Sequence, residues 1–110
     1  MVEITLGSAN SGSELTEIGV RGHAAFSNPE VGGDIVCSAV SALVGYLGIT
    51  FSEFLPEFGE VKADDGFFEL KLKPGAANDP RCATLLKAWV SAALQLEENY
   101  SGWVQVVGKS

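Results

Sequence analysis

The tripeptide Asp64-Asp65-Gly66 stands between two runs, EVKA and FFELKL, and constrains this chain more than any other stretch. A short glycine-ended turn between such runs specifies an antiparallel hairpin, because glycine takes the positive φ that the turn needs. Phe68, Leu70 and Leu72 face one way and Phe67, Glu69 and Lys71 the other. Pro74 and Gly75 end the second strand.

The flanking segments show what accompanies this hairpin. Residues 2–6 (VEITL) alternate as a half-buried strand does. Gly7 to Ser13 is a loop of small residues, and 14–22 (ELTEIGVRG) is a second strand. There Thr16, Ile18 and Val20 share one face, with Leu15, Glu17 and Arg21 on the other, and the two strands pair as a hairpin. Ala24 to Gly33 reads as a loop, broken by Asn28-Pro29 and Gly32-Gly33. A helix is predicted from about Asp34 to Leu47, stopping at Gly48, with Val36, Val40, Leu43 and Leu47 as its buried stripe. Ile35, Ala39, Ala42 and Tyr46 form a milder apolar face that points to a subunit contact. After a Phe- and Glu-rich connector (49–58) and the central hairpin, a second helix starts at Asp79-Pro80 and runs to about Glu98. Residues 103–107 (WVQVV) form a last strand. The order ββαββαβ gives an α+β fold: two layers, a mixed or antiparallel sheet with two helices packed on it.

At 110 residues the expectation is one domain, 1–110. The apolar fraction of 46% supplies a core. A chain this small also gains from a partner that covers leftover apolar surface. Seven Lys and Arg against 14 Asp and Glu leave no basic cluster for phosphates, so no nucleic-acid partner is expected. No run of 18 consecutive apolar residues occurs, so no membrane span is expected. The start MVEITLGS has neither basic leader nor apolar signal region, and the reading is a cytoplasmic protein. Cys37 and Cys82 are expected as free thiols, and one histidine with two distant cysteines makes no zinc ligand set; no cofactor is expected.

The chemistry concentrates on His23 and Cys37. A thiol attacks carbonyls as thiolate. Two things favour the thiolate at Cys37. If Asp34 is the N-cap, Cys37 is the third helical residue, among the unpaired N–H groups at the positive end of the helix dipole. His23, the chain's one imidazole, is the available base, and Gly22 before it permits an unusual backbone angle. Asp34 either caps the helix or holds the imidazole. The plainer alternatives are a non-catalytic dimeric interaction module, with Cys37 packed under its helix, and a thiol redox sensor using Cys37 or Cys82. Cys82 is an internal control. It too follows an aspartate by three residues at a helix start, so helix position alone does not pick out a nucleophile, and it has no accompanying base.

The run from Gly22-His23-Ala24 to Asp34-Ile35-Val36-Cys37-Ser38-Ala39-Val40-Ser41-Ala42-Leu43 resembles the signature of the ribosomal-processing cysteine protease family, Prp. Chain length and element order agree, so the resemblance covers the whole domain. Ala25 stands where glycine is common, and the loop holding Pro29 is slightly longer than the family's. The resemblance implies an endopeptidase that removes a short N-terminal extension from large-subunit ribosomal protein number twenty-seven, cutting after a phenylalanine-containing motif. It implies a homodimer, and a mobile segment between histidine and cysteine. It makes Cys37 the nucleophile, His23 the general base, Gly22 a hinge, and Asp34 and Ser41 supporting residues.

Overall fold

The computed structural model describes residues 2–8, 14–22, 33–64 and 66–109, with the side chains of 33–35 and 109 outside the description. The elements are β1 (Val2–Ser8), β2 (Leu15–Arg21), α1 (Gly33–Ile49), β3 (Gly59–Asp64), β4 (Phe67–Leu72), α2 (Pro80–Asn99) and β5 (Val104–Lys109). The sheet order is β3-β4-β2-β1-β5. All pairings are antiparallel except β1 with β5, so the sheet is mixed.

Alternation decides which sheet face is covered. Val2 and Ile4, Ile18 and Val20, Phe68 and Leu70, and Val104 are buried in one core with residues of both helices. Their neighbours Glu3, Thr5, Glu17, Gly19, Arg21, Phe67 and Glu69 line a shallow groove of about 290 Å³ on the opposite face. The register Ile18↔Leu70 and Val20↔Phe68 keeps apolar residues facing the helices across both strands. The two helices are joined by a hydrogen bond, Trp89 Nε1–H donating to the Leu43 carbonyl at 2.9 Å.

Helix α1 departs from the sequence reading at both ends. It begins at Gly33, so Asp34 is its second residue rather than its cap. An N-cap has non-helical dihedrals, which a residue inside the helix cannot have. Gly48 does not stop the helix, which runs to Ile49 and continues as a π-turn over Thr50–Phe54. At Gly48 an added Cβ would meet Phe68 Cε2 at 3.5 Å, an ordinary contact, and the residue has no positive φ, so nothing at this glycine ends the helix. The π-turn has a packing reason. Leu47, Phe51 and Leu55 are all buried at four-residue steps. Such steps drift about 40° each around an α-helix, and a wider turn offsets the drift. Thr50, also buried, donates its hydroxyl to the Tyr46 carbonyl at 2.8 Å.

By length and composition the stretch Val36–Phe54 is apolar enough to cross a membrane, a match the sequence reading did not anticipate. Val36, Val40, Leu47 and Phe51 are nonetheless core residues against the sheet, as in the core helix of a folded domain. The last strand lies at Val104–Lys109, slightly later than 103–107.

Candidate active site

Cys37 is the fifth residue of α1 and is half-buried. Its neighbours explain that position. Val36 and Val40 are buried in the stripe that faces the sheet, and Cys37 flanks it. Ser41 is exposed one turn further on the same flank. In a helix that begins at Gly33 the i→i−4 ladder commits the Cys37 N–H to the Gly33 carbonyl. The placement of Cys37 among the unpaired donors is therefore corrected: as the fifth residue of the described helix it lies past the first turn.

Gly22 follows the last residue of β2 with φ +99°, the left-handed backbone that its sequence position suggested. Its N–H donates to the Gly66 carbonyl at 3.0 Å, extending the β2–β4 ladder onto the hairpin turn. Beside it Arg21 pairs with Phe67 across the strands, and the Arg21 guanidinium lies 5.3 Å from the centre of the Phe67 ring. These contacts were not anticipated, although the Asp64-Asp65-Gly66 turn and the alternation of FFELKL already carried the signal. His23 and the 24–32 segment lie outside the described residues, as does the Asp34 side chain. Cys37 and Ser41 thus share one helix flank, and Gly22 marks where the chain leaves the sheet toward His23.

Cys82 is the contrasting thiol. It is the third residue of α2 and is completely buried. Asp79 caps that helix, accepting the Arg81 N–H at 2.9 Å, with its Oδ1 3.2 Å from Arg81 Nε. Burial, reinforced by the Asp79 charge, pushes the Cys82 thiol up from its ordinary value. Such a buried thiol gives no support to a redox-sensor role for Cys82.

A family model described as cysteine protease Prp matches residues 1–105. The comparison with curated proteins gives no significant match. Among solved structures, a ribosomal processing protease Prp from Staphylococcus aureus in complex with a substrate peptide has a TM-score of 0.81 at 22% identity, covering 99% of this chain and 100% of that one. The same protease with a covalently linked product peptide gives 0.79 at 22% identity, over 99% and 100% of the two chains. A protein from Streptococcus mutans gives 0.73 at 25% identity, over 99% and 96%. These likenesses agree with the mixed five-stranded sheet and two helices seen here. With the family model spanning nearly all of it, the chain belongs to the cysteine protease Prp family and is a cysteine protease.

Proposed function

We propose that this protease processes a ribosomal protein precursor, removing the N-terminal extension of large-subunit ribosomal protein number twenty-seven after a phenylalanine-containing motif. The observation that carries the reading is the contrast between two thiols in a cysteine-protease chain: Cys37 is half-buried on a helix flank, whereas Cys82 is sealed in the core. The name of the Staphylococcus aureus protein, whose fold this chain resembles, supports the substrate class.

In this reading Cys37 Sγ attacks the scissile carbonyl carbon while His23 holds the thiol proton. The tetrahedral intermediate collapses to a thioester, and His23 gives its proton to the departing amine. Water, deprotonated by His23, then hydrolyses the thioester and frees Cys37. The backbone N–H groups of residues 33–35 are the donors available for the oxyanion. Gly22 acts as a hinge for the segment that carries His23, and Asp34 and Ser41 support the site. The enzyme works in the cytoplasm as a homodimer. Its proposed contact is the apolar flank of α1 and its π-turn, where Tyr46 (58%), Ile49 (52%) and Phe54 (73%) are exposed around a groove of about 300 Å³.

The test is incubation with the ribosomal protein precursor and mass measurement of the product. One cut is expected, at the phenylalanine-containing motif, and both Cys37→Ser and His23→Ala abolish it while remaining folded. An intact precursor removes the substrate assignment, and normal cleavage by His23→Ala removes the dyad.

A further inference from the structure

The chain turns out of the sheet at Gly22 with a backbone conformation that strand pairing does not impose. The described contacts at this exit come from one hairpin. Gly22 donates its N–H to Gly66 at 3.0 Å, and Gly66 itself has φ +71° at the tip of the β3–β4 hairpin. One residue back, Arg21 lies opposite Phe67 in the β2–β4 register with its guanidinium over the ring. Both contacts come from the same hairpin, and both act on the two residues directly before His23.

We infer that the β3–β4 turn is a positioning device for the catalytic base, with Phe67 and Arg21 as its positioning residues. The inference rests on the reading of His23 as that base. Phe67 faces the outer side of the sheet, away from the core side occupied by its neighbour Phe68. Its packing value to the core is thereby small, and its stacking on Arg21 fixes the strand end instead. Catalysis is sensitive to such fixing, since a shift of about 1 Å at a reacting group costs up to about a hundredfold in rate.

The experiment compares Phe67→Ala, Phe67→Tyr and Arg21→Gln with the intact chain in precursor cleavage and in iodoacetamide alkylation of Cys37, folding being verified by circular dichroism. Phe67→Ala is expected to lower kcat about tenfold with KM within about twofold. Phe67→Tyr, which keeps the ring, restores it. Arg21→Gln, at an exposed position where folding is not at stake, lowers kcat about threefold. In a His23→Ala background, Phe67→Ala no longer changes the rate of Cys37 alkylation, because the group it positions is gone.

Wild-type kcat in both Phe67→Ala and Arg21→Gln overturns the inference, as does equal slowing of alkylation with and without His23. Should Phe67→Ala not fold, Arg21→Gln alone decides. Wild-type kcat in His23→Ala overturns the reading of the base itself, and is recognised separately because that variant leaves the hairpin intact.

Discussion

Two cysteines three residues after an aspartate differ in burial because of the face their helices turn to the sheet. At Cys82 the aspartate is a true cap, the thiol is the third helical residue, and it points into the core with no exposed surface. At Cys37 the aspartate is inside the helix and the thiol lies beside the buried stripe. Cys82→Ala is therefore expected to cost about 1 kcal/mol of stability through the small cavity it leaves, measured by denaturant titration, while precursor cleavage stays at the wild-type rate. Loss of cleavage in a folded Cys82→Ala protein would move the chemistry to the wrong thiol. Sequence made Cys37 and Cys82 visible as candidates but did not separate their burial. That separation comes from which helix face meets the sheet, a tertiary fact. Gly22 was legible down to its backbone angle, since few residues other than glycine adopt φ near +99°.

Among the elements, the hairpin around Gly66 and the two-stranded unit of β1 and β2 were legible because alternation and turn residues are local signals. The π-turn at Thr50–Phe54 was not, because its cause is the demand that Leu47, Phe51 and Leu55 all reach one core. Gly48 was misread because a glycine stops a helix only when it takes the left-handed backbone, and Gly48 is not among the positive-φ glycines. Helix α2 was legible from Asp79-Pro80 onward, and its cap has a measurable consequence. The Arg81 side chain, hydrogen-bonded to Asp79, holds the Asp79 carboxyl below its ordinary value of 3.8. A carboxyl depressed in the folded state contributes stability that is full above the unfolded value and lost as pH falls through the folded one. Asp79→Asn should therefore flatten the acid limb of the stability curve below about pH 4, in melting temperatures taken across that range. The exposure of the Arg81 side chain makes the effect small and reduces it further in high salt.

At the scale of the whole molecule, the described surface keeps an apolar flank on one helix while the chain as a whole carries a net charge of −7. That combination fits the proposed homodimer, since charge discourages indiscriminate association and leaves the uncharged flank for a specific one. Tyr46→Glu is expected to convert the dimer to monomer in sedimentation velocity while leaving the circular dichroism spectrum unchanged. A wild-type chain that sediments as monomer, or a variant that stays dimeric, would reject this contact. The α+β order was legible from the sequence, but the parallel pairing of β1 with β5 was not, because no turn joins the two strands and no local pattern announces their register. That pairing also sets the order of events during synthesis. β1 is made well before β5, so one of its flanks stays bare until 104–109 leave the ribosome. The sheet is completed last by its most sequence-distant contact, a slow step in folding. The nascent chain therefore carries its cysteine and histidine well before the strand that completes the sheet is available to pair.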